Sequence, residues 1–171
     1  MKTLPTTPGS RRSLFARFRG GPEQVRPPWS RTEEDFLEAC SRCDDCIKSC
    51  PTGVLTKGHA GYPIVDFFRA SCTLCGVCAQ SCKDDCFVSL EAPAWRLKAI
   101  VGTLCVEPKG VVCRACEESC PVSAIIFKPK LGGGASAIVS AERCTGCGAC
   151  VRPCPVKAIS IAIPRQPEKS T

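Results

Sequence analysis

Cysteine spacing constrains this chain more than any other feature. Cys40, Cys43, Cys46 and Cys50 fall in CSRCDDCIKSC, Cys72, Cys75, Cys78 and Cys82 in CTLCGVCAQSC, and Cys144, Cys147, Cys150 and Cys154 in CTGCGACVRPC. All three runs read C-x2-C-x2-C-x3-C. A fourth set, third in chain order, is offset: Cys105 stands eight residues before Cys113, and Cys116 and Cys120 follow in register. These runs use all but one of the 17 cysteines in 171 residues, and the spare is Cys86. With aromatic residues at 6%, and units of roughly 60 residues that bury little apolar surface, the core needs another source of cohesion. One cysteine in ten residues points to disulfides or metal.

Disulfides require an oxidising compartment. The N-terminal stretch shows no apolar signal region, no later run approaches a membrane span, and the cysteine count is odd. Zinc sites draw ligand pairs from separate knuckles to one tetrahedral ion. Here three thiols sit at two-residue intervals on one loop, a spacing that reaches three corners of an iron–sulfur cube. In bacterial ferredoxins with this run the fourth cysteine serves the other cluster. Applied here, that spacing predicts four [4Fe-4S] clusters per chain. Cys40, Cys43 and Cys46 would share one with Cys82, and Cys72, Cys75 and Cys78 one with Cys50. Cys105, Cys113 and Cys116 would share a third with Cys154, and Cys144, Cys147 and Cys150 a fourth with Cys120. Metal binding and folding would then be one event.

The expected fold class is α+β: two tandem bacterial dicluster-ferredoxin-like modules of short β-hairpins and short helices. The expected boundaries are 1–35 for a basic N-terminal arm, 36–91 for the first module and 92–104 for a connecting segment, helical around Trp95 to Ile100. Residues 105–164 form the second module and 165–171 a polar tail. Prolines after the fourth cysteines, in PTGVL, PVSAI and PVKAI, suit the first turn of a helix, and each fourth cysteine is expected near a helix start. Gly58 and Gly61 signal a hairpin turn before IVDF, a unit expected four times. Trp29 is expected to pack on the first module. His59 reads as a turn residue and Cys86 as a small buried residue; Lys83 replaces the usual proline after Cys82.

Charge is uneven. Residues 1–31 carry seven Lys/Arg against one acid, so most of the net +7 belongs to this stretch. Each oxidised cluster with its thiolates contributes about −2, which brings the loaded chain to about −1 and its body to about −7. A nucleic-acid partner therefore does not follow from the basic composition, and no interleaved aromatic-and-basic pattern supports one. SRRSLFAR resembles a twin-arginine export signal but lacks the apolar stretch that such a signal needs. An arm reaching an acidic surface through Arg11, Arg12, Arg17 and Arg19 is the alternative to a solvated tail. No nucleophile triad, paired-carboxylate cleft, phosphate loop or open-site metal pattern appears, so the residues do not suggest an enzyme.

The combination of SRRSLFARFRG, RPPW, CSRCDDCIKSC, GYPIVDF and CTLCGVCAQSC with the offset CRACEESCPVSAIIF and CTGCGACVRPCPVKAI resembles the NapF family, ferredoxin-type proteins encoded with periplasmic nitrate reductases. The resemblance covers roughly residues 10–162. It implies a cytoplasmic iron–sulfur protein that meets the precursor of the nitrate reductase catalytic subunit before export and serves its maturation, assembling or reducing that subunit's own cluster with electrons from an unidentified redox donor. The competing expectation is an electron-transfer subunit bound stably within a redox enzyme.

Overall fold

The computed structural model describes residues 24–164. The arginines of the expected arm, Arg11, Arg12, Arg17 and Arg19, lie outside the described residues.

The first helix, α1 (Glu33–Ala39), begins where Thr32 accepts the Asp35 N–H on its hydroxyl (3.3 Å). Glu33, Glu34 and Asp35 place negative charge on its first turn, where the helix dipole favours it. Its one buried residue, Phe36, meets Phe87 edge-on at 6.0 Å. Arg26 ties the preceding segment down, with paired hydrogen bonds to Glu33 (2.6 and 2.9 Å) and its guanidinium over the Phe36 and Tyr62 rings. Trp29 is buried and donates its indole N–H to the Ala92 carbonyl at 2.8 Å. Residues 24–35, assigned by sequence to the arm, thus pack on the N-terminal half in their described part.

Each half has a β-hairpin. In the first, β1 (Leu55–Lys57) pairs antiparallel with β2 (Pro63–Val65), with Leu55 opposite Val65. In the second, β4 (Ile125–Pro129) pairs with β5 (Ala135–Val139), with Ile125 opposite Val139. A third antiparallel pair is not a hairpin: β3 (Lys98–Val101) joins β6 (Ile159–Ala162) and closes the C-terminal half. Its counterpart in the N-terminal half is a single bridge between Ser30 and Phe87. The hairpin expected four times therefore occurs twice among the described residues.

Two other expectations are corrected. The helix anticipated around Trp95 to Ile100 is absent: Trp95 to Leu97 are irregular and strand β3 begins at Lys98. Its residues alternate, Ala99 buried and Ile100 exposed, and its partner β6 is distant in sequence, so long-range pairing overrides local propensity. The helices also lie before the fourth cysteines and not after the prolines: α2 (Asp45–Lys48), α3 (Val77–Gln80) and α4 (Ala115–Glu118) are single turns carrying the third cysteine of their runs. After Cys50, Cys120 and Cys154 the chain makes a tight turn and enters a strand.

One apolar core runs through both halves, from Val54, Leu55, Val65 and Phe67 to Ala99, Ala124, Ile125, Val151 and Ile159. At the junction, Phe67 meets Trp95 edge-on at 6.0 Å, Trp95 donates to the Thr145 carbonyl (2.7 Å), and the Cys72 N–H donates to the Cys147 carbonyl (2.9 Å). The Phe67 ring occupies the space where Gly148 would carry a side chain.

Candidate metal centres

The fold gathers the cysteines into four cavities. Cys50, Cys72, Cys75 and Cys78 line one, and Cys120, Cys144, Cys147 and Cys150 another. Cys40, Cys43, Cys46 and Cys82 line a third, and Cys105, Cys113, Cys116 and Cys154 a fourth. Each combines three cysteines of one run with the fourth of its neighbour. Ser49 and Ser81, one residue before Cys50 and Cys82, touch hydroxyl to hydroxyl at 2.9 Å.

Backbone conformation explains how one loop presents three thiols. In the three regular runs both neighbours of the second cysteine have positive φ: Arg42 and Asp44 (62° and 69°), Leu74 and Gly76 (56° and 76°), Gly146 and Gly148 (73° and 78°). Such a backbone is easy for glycine and costs a residue such as Leu74 about 1 kcal/mol, a strain the local packing must hold. A second device follows the fourth cysteine. The Ala124 and Ala158 N–H groups donate to the sulfurs of Cys120 and Cys154, both at 3.2 Å. Leu74 and Ala99 donate likewise to Cys72 and Cys144, both at 3.4 Å. Donors aimed at sulfur favour thiolate over thiol.

The offset run lacks the left-handed pair; Arg114 has φ −120°. Sequence reasoning missed what takes its place. The inserted loop makes a 3-10 turn at Glu107–Lys109, and the Glu107 carboxylate, buried to 4% exposure, accepts the Cys113 N–H at 2.6 Å and pairs with Arg114 at 3.2 Å. Arg114 in turn lies over the Phe127 ring at 4.4 Å. The eight-residue gap between Cys105 and Cys113 was the signal; a single acid inside it gave no hint of burial.

Burial pushes several thiols up: Cys72 and Cys116 to about 11, and Cys46, Cys78 and Cys150 to about 12, with neighbouring cysteines adding to the effect. Cys50 goes the other way. Burial raises it, but the Thr52 hydroxyl and the N–H groups of Leu55, Val54 and Thr52 together outweigh that and lower it. Thiols held protonated by burial give up protons when they take a metal.

The donor chemistry fits an iron–sulfur cube. Three cavities are lined by four cysteines and by no acidic or imidazole side chain. The cavity of Cys40 adds Asp44, Asp84 and Cys86. His59 lies in the hairpin turn between β1 and β2, exposed and outside these linings.

Comparison with known proteins agrees with this donor set. The 4Fe-4S dicluster domain family matches residues 110–158, and a 4Fe-4S binding domain family matches residues 37–53. The ferredoxin-type protein NapF of Escherichia coli K12 is 41% identical over 106 residues, 61% of this chain and 65% of that protein. NapF of Haemophilus influenzae is 41% identical over 90 residues, 53% of this chain and 51% of that protein. The methylamine utilization ferredoxin-type protein MauM of Paracoccus denitrificans is 29% identical over 102 residues, 52% of this chain and 46% of that protein. The chain thus spans under two thirds of the length of these relatives. The chain is similar to the ferredoxin-type NapF proteins, and two of its stretches match families of 4Fe-4S binding domains.

Proposed function

We propose that the chain holds four [4Fe-4S] clusters in two tandem dicluster modules and acts as an electron carrier in the maturation of a periplasmic nitrate reductase catalytic subunit. The observation that carries this reading is the sorting of the sixteen cysteines of the four runs into four cavities, four to each, with Cys86 as a fifth in one of them. When bound, a cluster supplies reversible one-electron transfer. The chain's own residues hold the sulfurs in place, direct backbone N–H groups at several of them, and keep water off with Val54, Ile125, Phe127 and Ile159. The cavities also adjoin in sequence: Cys46 lies near Cys78 and Cys82, Cys72 near Cys147, and Cys150 near Cys116. That makes a row of four, with the cavity of Cys40, Cys43, Cys46 and Cys82 at one end and that of Cys105, Cys113, Cys116 and Cys154 at the other.

The partner comes from the likeness to NapF. A cytoplasmic chain of this kind would meet the reductase precursor before export, and the basic arm would dock it through Arg11, Arg12, Arg17 and Arg19. A body that clusters make acidic needs such an arm to approach an acidic surface, and several arginines together raise encounter rates. The test is capture of the precursor by the cluster-loaded chain. Replacing the four arginines by serine should leave iron content unchanged and weaken capture, and wild-type capture should fall as salt rises. Undiminished capture removes the arm from the reading. Recovery of the chain in stable complex with the exported enzyme would favour a resident electron-transfer subunit instead.

A further inference from the structure

The second run ends unlike the other three. After Cys50, Cys120 and Cys154 the third residue on, Gly53, Ser123 or Lys157, has positive φ (66°, 46° and 50°). Its N–H returns to the cysteine carbonyl at 3.2, 3.1 and 3.2 Å. This turn aims the next N–H, of Val54, Ala124 or Ala158, at the fourth cysteine's sulfur. After Cys82 none of Lys83, Asp84 and Asp85 has positive φ. The position matching Val54, Ala124 and Ala158 is Cys86, whose N–H goes to the Asp84 carbonyl (2.9 Å) instead. What this turn brings to the sulfur is a second sulfur.

Cys86 is 1% exposed and lines the same cavity as Cys40, Cys43, Cys46 and Cys82. Its thiol, the Cys82 thiol and an Asp84 carboxylate oxygen all lie within 4.8 Å of one another. The turn that places it is clamped from outside. Ser41 donates to Asp84 from its N–H (3.1 Å) and its hydroxyl (2.5 Å). Arg31 holds Asp85 at 2.6 Å and donates its own N–H to the Cys86 carbonyl at 3.0 Å. A buried residue kept only to fill space needs no such aim, and a valine or alanine stands at this position after the other three fourth cysteines.

We propose that Cys86 is a reserve ligand for the iron served by Cys82, so that this cavity has two interchangeable fourth thiols. The inference rests on the cluster reading above and adds to it. Exchange is redox-neutral: the iron–sulfur bond to Cys82 breaks, one to Cys86 forms, and the Cys86 thiol proton passes to the Cys82 sulfur. The other three cavities contain four cysteines each and have no such reserve.

The test compares full-length variants loaded anaerobically, reading iron, sulfide and the EPR spectrum of the reduced protein. C82A should keep about 16 iron atoms with a changed EPR signal, whereas C82A/C86A should plateau near 12. C50A, which has no reserve, should fall to about 12 by itself. A second measurement does not depend on C82A folding: chelator-driven iron loss from C86A should show one set of four irons leaving about tenfold faster than in the wild type. C82A falling to the count of the double variant, the double variant keeping its full iron, or an unchanged rate of loss from C86A overturns the proposal. A wild-type chain that takes up zinc or lacks sulfide overturns the cluster reading itself, an outcome visible before any variant is made.

Discussion

Glu107 should decide whether the offset loop can hold its cavity together. Its carboxylate is the acceptor for the Cys113 N–H and the partner of Arg114. Glu107→Ala leaves that half-buried N–H without its acceptor, at a cost of about 1–3 kcal/mol. The ion pair adds little, because Arg114 is 36% exposed and retains its place over Phe127. The loss falls on the loop between Cys105 and Cys116, so the expected effect is local: at about 2 kcal/mol, opening of this one site becomes roughly 30-fold more frequent. Glu107→Gln keeps an acceptor oxygen and should lose about half as much. The assay is anaerobic iron and sulfide analysis followed by chelator-driven iron release. The wild type should release its iron slowly from a total of about 16 atoms. In E107A four irons should leave early or never load, and E107Q should fall between. E107A with wild-type iron content and release kinetics would refute the reasoning. E107Q as damaged as E107A would show that the charge matters and the hydrogen bond does not.

Cys50→Ala should bleach the site of Cys72, Cys75 and Cys78 and spare that of its sequence neighbours Cys40, Cys43 and Cys46, resolved by EPR of the reduced variants. Gly148→Ala should cost at least about 3 kcal/mol, since its Cβ would stand 2.0 Å from the Phe67 ring at a φ of +78°; Gly53→Ala, with open space but a φ of +66°, should cost only about 1 kcal/mol. Thermal melting of the loaded proteins separates the two, and equal losses would remove the clash from the account. Oxidative removal of iron in the presence of a chelator should abolish most far-UV circular dichroism structure; a native-like spectrum in the stripped chain would show that the apolar core suffices alone.

The sequence made the shared cavities legible because ligand spacing on a continuous loop leaves few ways to close a cube, and the displaced Cys105 did not disturb the three residues after it. Hairpin β1–β2 was legible from Gly58 and Gly61 for a similarly local reason. Strand β3 was not: LKAI carries no sign that Ile159–Ala162, far along the chain, is its partner. The prolines after Cys50, Cys120 and Cys154 misled because a residue fit for a helix start is equally fit for a tight turn, and sulfur-directed N–H groups select the turn. The burial of Cys86 was anticipated, but its approach to Cys82 depends on Ser41 and Arg31, which reach it from elsewhere in the chain. Glu107 stood in an irregular insertion, where composition says nothing about which side chain turns inward.

The hydrogen bond from the Cys72 N–H to the Cys147 carbonyl has a practical meaning for anyone dividing this chain. Each half has its own hairpin and its own two cysteine-lined cavities, which invites expression as two miniature proteins. A cut between residues 91 and 92 would bare the Phe67 ring on one fragment and Trp95 on the other. It would also orphan a donor and an acceptor on cysteines beside two different cavities. The seam is built from residues adjacent to the thiols themselves, so the halves are less like beads on a string than like two leaves of a hinge riveted shut at the pin.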